Sequence, residues 1–126
     1  MFVIGERINP AGKPRLRNAI RNRKAAFLQK EALAQERAGA QALDLNVFIS
    51  GLNRLEAMRF VAGNIRLVVH LPLVIDDRDP EVLREGLVQA KEGSLINSPV
   101  DVEARDEEIF KLAKHFRAGL FLLPRT

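Results

Sequence analysis

The 126-residue sequence has no cysteine, no tryptophan and no tyrosine, and only two histidines. Without cysteine the chain forms no disulfide, holds no thiolate-bound zinc and ligates no iron–sulfur cluster. His70 and His115 have neither a second histidine nor a carboxylate at metal-ligand spacing, so no metal site is expected. No apolar run approaches the ~18 residues that cross a bilayer. Nothing resembles a secretory leader, because only Phe2, Val3 and Ile4 precede Gly5-Glu6. A soluble, cytoplasmic protein is the expectation. Gly-x-Gly-x-x-Gly, Walker and Gly-x-Ser-x-Gly patterns are also missing, which leaves phosphate cradles and serine hydrolase chemistry unsupported.

What is present suits a single globular domain over residues 1–126: 47% hydrophobic and 29% charged residues are ordinary for a chain that buries one core. A net charge of +4 comes with a basic run of Lys13, Arg15, Arg17, Arg21, Arg23 and Lys24. No aromatic interleaves that run and no nucleic-acid motif accompanies it. A solvated face is therefore favoured over an anionic small-molecule or protein partner, and both over nucleic acid.

Five short, nearly continuous apolar segments read as strands covered on both faces of a parallel sheet: Phe2–Ile4, Ala42–Val47, Leu71–Ile75, Ser94–Ile96 and Gly119–Leu123. Four helical patterns separate them. The first runs from about Lys24 to Ala38, stopped by Gly39, and the second carries Leu55, Met58, Ala62 and Ile65 on one face. The third opens at Asp79-Pro80 with Leu83, Gly86, Leu87 and Ala90 aligned, and the fourth starts near Asp101 with Ile109, Leu112, Ala113 and Phe116. The order β-α-β-α-β-α-β-α-β predicts right-handed crossovers and a parallel sheet. An open doubly wound sheet and the first half of a (β/α)8 barrel both fit. A whole barrel needs about 250 residues, so the expected fold is a partial TIM barrel, a half-barrel of about four βα units plus a fifth strand.

Polar residues gather where the strands end. Glu6, Arg7 and Asn9 follow the first; Asp44 and Asn46 lie within or after the second; Asp76 and Asp77 end the third; Asn97 and Ser98 end the fourth. That end of a parallel α/β sheet is where ligands bind, because strand ends and loops converge there. Plainer readings stand beside this one. Glu6 and Arg7 can pair with each other, and Asp44 with a neighbouring backbone or Arg7. Asp77 or Asp79 suits a helix cap before Pro80, and Asn97-Ser98 a turn before Pro99.

The stretches "IGERINPAGK", "AGAQALDLNV", "LPLVIDD" and "LINSP" resemble, in order and spacing, the pterin-binding methyltransferases. These include methyltetrahydrofolate:corrinoid protein methyltransferases and the folate domain of cobalamin-dependent methionine synthase, relatives of dihydropteroate synthase. The resemblance covers nearly the whole chain but only the first half of the family's barrel. It implies binding of methyltetrahydrofolate and methyl transfer from its N5 to the Co(I) of a corrinoid, a cobalamin-type cofactor carried by a partner protein. Asp76 matches the family's pterin-binding carboxylate and Asn97 its pterin-contacting asparagine. Glu6, Asn9, Asp44, Asn46 and Ser98 are expected to line or support the site, and no catalytic residue is assigned. Two positions depart from the pattern: Phe48-Ile49 follow "DLNV", where glycine is common, and Asp77 stands where Ser or Thr is usual. The family's second pterin-binding Asp and the Asn assisting N5 come from later strands, so catalysis by this stretch alone is left open. The alternatives are a non-catalytic pterin-binding or assembly module, and dihydropteroate synthase-like chemistry. A half-barrel exposes strand edges, which predicts a homodimer or association with a complementary half-barrel.

Overall fold

The computed structural model describes residues 4–5, 13–91, 93–100 and 104–124. Asn53 starts one helix by accepting from the Glu56 N–H at 3.1 Å, and Asp79 starts the next by accepting from the Glu81 N–H at 2.9 Å. Each thereby satisfies an amide that the first helical turn leaves open. The elements in chain order are β1 (Ile4–Gly5), α1 (Pro14–Arg21), α2 (Ala25–Arg37), β2 (Ala42–Leu45), α3 (Arg54–Arg66), β3 (Leu73–Asp76), α4 (Pro80–Ala90), β4 (Leu95–Val100), α5 (Ala104–Phe116) and β5 (Gly119–Pro124). Gly39, at φ +93°, ends α2 in the left-handed region, as its place in the sequence predicts.

All five strands are parallel and lie in sequence order, β1-β2-β3-β4-β5. A doubly wound sheet reverses its order at a switch point, so this order decides between the two expected architectures. Right-handed crossovers that always advance in one direction place the helices on one face. Accordingly α1 packs on α2, α2 on α3, α3 on α4 and α4 on α5. The fold is α/β with parallel strands alternating with helices, consistent with part of a TIM barrel.

The core lies between that helical layer and the sheet. Leu43 and Leu45 of β2, Leu73 and Ile75 of β3 and Ile96 of β4 meet Leu28 of α2, Met58, Val61 and Ile65 of α3, and Leu83 and Leu87 of α4, all nearly solvent-free. Since strand side chains alternate, Asp44, Asn46, Asp76 and Asn97 stand on the other parity, facing away from the helices. Among the described residues no helix is long and apolar enough to cross a membrane.

Two expectations need correction. The basic run from Lys13 contains a helix, α1, with Pro14 in its first turn and Leu16, Ala19 and Ile20 buried; the spacing i, i+3, i+4 was present but masked by the cations. And β4 does not end in a turn at Asn97-Ser98: it continues to Val100, paired with β5 through Pro99↔Leu123 and Val100↔Pro124. Proline fits because β3 has already ended at Asp76, so on that side Pro99 has no ladder to donate to, as at a sheet edge.

Close packing of α4 on β3 holds Asp76 in place. A Cβ on Gly86 would approach Ile75 Cγ2 to 2.5 Å. Gly86→Ala is therefore expected to destabilise the fold by about 1 kcal/mol, the strain of overpacking outweighing the gain in helix propensity. Urea denaturation would measure it, and an unchanged or raised midpoint would contradict the packing described.

Candidate functional site

Sheet register assembles the site. Asp76 of β3 lies directly opposite Asn97 of β4. Leu45 pairs with Ile75, so Asn46, one residue past the end of β2, falls beside Asp76. A carboxyl group thus stands between two carboxamides, at the carboxyl ends of β2 and β3 and midway along β4. Asp44 pairs with Val74, one step deeper, and reaches Asp76 along the diagonal.

The hydrogen bonds fix side-chain roles. Asn46 Oδ1 accepts from the Phe48 N–H at 3.0 Å, which leaves its NH2 to donate to the Asp76 carboxyl, with which it is hydrogen-bonded. Asp44 also acts on the Asp76 carboxyl from its place one step deeper on β2. Burial pushes the Asp76 pKa up from its ordinary value, and the charge of Asp77 adds to this; the bonds with Asn46 and Asp44 pull in the opposite direction without cancelling it. The result is a half-buried carboxyl group, held by neighbours and poised to exchange a proton or to accept a pair of N–H donors.

The cleft around it has a volume of about 400 Å³ and is lined by Asn46, Phe48, Arg54, Asp76, Asp77 and Arg78. Asp77 is 7% exposed. Its Oδ1 accepts from the Asp79 N–H at 2.9 Å and lies 3.7 Å from Arg54 Nη1. The Arg54 guanidinium in turn lies 5.6 Å from the centre of the Phe48 ring, within cation–π range. Asp77 is therefore a strut between the cap of α4 and an arginine of the cleft, and Asp79 is the cap itself. A groove of similar size, between α4 and α5, is lined by Pro80, Leu112 and Phe116 among others and contains none of the strand-end polar residues.

Of the residues singled out in the sequence, Asp44, Asn46, Asp76 and Asn97 are brought together by sheet register; Asn46, Asp76 and Asp77 line the cleft, and Asp44 and Asn97 are not part of its lining. Ser98 does not join the lining. It shares the parity of Ile96, is fully buried, and among the described residues its hydroxyl has no hydrogen-bond partner, so it stands behind Asn97 on the helical side. Glu6, Arg7 and Asn9 lie outside the described residues. Arg54 and Arg78 were not anticipated. Their only sequence signal is position: Arg78 directly follows Asp76-Asp77, and Arg54 opens the helix after β2. His70 precedes β3 and His115 lies in the last turn of α5, and neither lines the cleft. Among the described residues no group of three or more His, Asp or Glu could hold a metal ion.

Comparison with known proteins bears on the family. The chain is similar to the methylcorrinoid:tetrahydrofolate methyltransferase of Eubacterium limosum, with 34% identity over 98 residues, 78% of this chain and 36% of that protein. It is also similar to the methionine synthase of Mycobacterium leprae (strain TN), with 34% identity over 98 residues, 78% of this chain and 8% of that protein. The chain thus spans about a third of the first relative's length and under a tenth of the second's. The family model for pterin binding enzymes matches residues 5–124, and the chain belongs to that family.

Proposed function

We propose that the cleft at the ends of β2 and β3, with Asn97 of β4 beside it, binds the pterin of a tetrahydrofolate, as one side of a site for methyl exchange between its N5 and a corrinoid. The observation that carries this reading is the registered pair Asp76↔Asn97. A pterin presents a ring N–H beside an exocyclic NH2, two donors that one carboxylate accepts side by side. Its neighbouring edge mixes donor and acceptor, which an amide matches and a carboxylate does not. Asn46 and Asp44 hold the Asp76 rotamer, so little ordering remains to be done on binding.

The corrinoid, carried by a partner protein, supplies or accepts the methyl group at its cobalt, as Co(I) when it accepts. Transfer from methyltetrahydrofolate breaks the N5–CH3 bond and leaves the electron pair on N5, so that nitrogen must be protonated or hydrogen-bonded. The first relative's name describes the opposite direction; one site serves both, because the transition state is the same. In this reading Asp76 and Asn97 orient the ring so that N5 faces the incoming partner, the contribution of a positioning site. The partners proposed are a corrinoid protein and, along the edges of the sheet, a complementary half-barrel or a second copy of this chain.

Calorimetric titration with tetrahydrofolate tests the binding step. Saturable one-to-one binding is expected, weakened about tenfold by Asn97→Ala through loss of a buried amide contact. Binding that is absent, or indifferent to Asn97→Ala, would overturn the site. Methyl exchange is read separately, by the visible spectrum of a reduced corrinoid protein mixed with the chain and methyltetrahydrofolate.

A further inference from the structure

We infer that Phe48, Arg54 and Arg78 form a second subsite that takes the aromatic, carboxylate-bearing side chain of a folate, so that the cleft selects folates over pterins lacking that tail. The inference rests on the pterin reading of Asp76 and Asn97 and extends it.

The cleft has two chemically distinct ends. Around Asp76 it offers a carboxyl and the Asn46 carboxamide, with Asn97 opposite Asp76 on the next strand, the groups a neutral heterocycle needs. Around Phe48 it offers a phenyl ring and two guanidinium groups, for which a pterin ring alone has no use. Phe48 is 62% exposed, an aromatic face left beside a polar site. Arg54 occupies the first turn of α3, where the helix dipole disfavours a cation. It is kept there by Asp77 at 3.7 Å and by the Phe48 ring, and Asp77 is itself fixed by the Asp79 amide. Ring and guanidinium are therefore arranged before any ligand arrives, and ordering them adds little cost on binding. Arg78, exposed, makes no ion pair among the described residues.

A phenyl surface flanked by two arginines matches a ligand that carries an aryl group followed by carboxylates. The aryl ring stacks on Phe48 or on the Arg54 plane, and the carboxylates pair with the guanidinium forks. A pterin bearing a diphosphate would satisfy the arginines but leave Phe48 without a role.

The experiment is calorimetry on the 126-residue chain with four probes: tetrahydrofolate, its triglutamate form, 6-methyltetrahydropterin, and 6-hydroxymethylpterin diphosphate. Tetrahydrofolate is expected to bind at least tenfold more tightly than 6-methyltetrahydropterin, and the triglutamate more tightly still. Phe48→Ala and Arg54→Gln should each erase most of that preference, read as the ratio of the two affinities within the same variant. Raising the salt concentration on the unaltered chain should weaken tetrahydrofolate and spare 6-methyltetrahydropterin, a readout that needs no variant to fold. Equal affinity for the tailed and tailless pterins, or a preference unmoved by both substitutions and by salt, overturns the subsite while leaving the pterin site standing. Tighter binding of the diphosphate than of tetrahydrofolate, insensitive to Phe48→Ala, overturns it in favour of an anion site. Failure of every probe to bind overturns the pterin reading and the subsite with it.

Discussion

Asp76→Asn is expected to weaken tetrahydrofolate binding about 100-fold at pH 7 while raising the unfolding midpoint by about 4 °C. The loss follows from replacing two parallel charge-assisted hydrogen bonds by one neutral acceptor and one clashing NH2. The gain follows from the cost that the native site now bears. Burial and Asp77 raise the Asp76 pKa, so the folded state disfavours the ionised carboxylate that neutral solution imposes. Asparagine keeps an acceptor for Asn46 and presents a donor to Asp44, without the charge. Because Asp76 is only half-buried, solvent screening limits the relief to about 1 kcal/mol at most, the size that corresponds to the stated shift for a chain of this length.

The pH dependence carries the sign of that argument. A carboxyl whose folded pKa is raised contributes stability that is fully present below its unfolded value, ~3.9, and is lost as the pH rises through the folded value. Asparagine does not titrate. The gap between variant and parent is therefore widest at neutral pH and closes as the pH falls toward 4. Thermal unfolding by circular dichroism at several pH values, paired with calorimetry at pH 7, measures both halves. A variant that binds as tightly as the parent refutes the site. A variant less stable than the parent at pH 7, by an amount that does not depend on pH, refutes the charge argument.

That a site costs stability explains what the sequence did and did not disclose. The four later strands are legible because each is a nearly continuous apolar run, α2 because a run of good helix formers stops at Gly39, and α3 to α5 because their apolar faces repeat at helical spacing. Asp76 and Asn97 are visible for the opposite reason, as polar residues where an apolar strand would otherwise continue. Their pairing is not visible, since Asp76↔Asn97 is a matter of register between segments about 20 residues apart in sequence. Ser98 illustrates the limit: one position past Asn97, it looks equivalent on paper, yet strand alternation turns it to the helical side. Pro99 reads as a stop until one knows that β3 is the shorter neighbour. Arg54 and Arg78 follow the strands at distances that depend on the path of each loop. No local pattern marks a cation as facing a cleft, when the chain has 20 Lys and Arg residues in all.

The second large effect lies at the other end of the sheet, where no ligand is expected. Arg66, the last residue of α3, donates from Nε to the Ala90 carbonyl at 2.6 Å, and from Nη1 to Val69 O at 3.1 Å and Leu71 O at 2.8 Å. One guanidinium thereby ties the end of α4 and the entry to β3 to the end of α3, and satisfies carbonyls that helix ends leave open. Burial lowers its pKa from the ordinary value, and Nη2 is buried with no partner among the described residues, so the three bonds are partly offset by desolvation. Arg66→Met keeps the apolar stem and removes the head. It is expected to destabilise the fold by about 3 kcal/mol, read as a fall in the urea midpoint. Arg66→Lys should recover little, because a single ammonium cannot span three carbonyls in the geometry of a planar fork. Tetrahydrofolate affinity of the folded fraction should be unchanged in both, since Arg66 sits at the amino ends of β3 and β4 and the cleft at their carboxyl ends. Asp76→Asn and Arg66→Met thus move stability in opposite directions, and only the first moves binding. If Arg66→Met weakened binding at temperatures where the chain is fully folded, the separation of a supporting end from a binding end would fail.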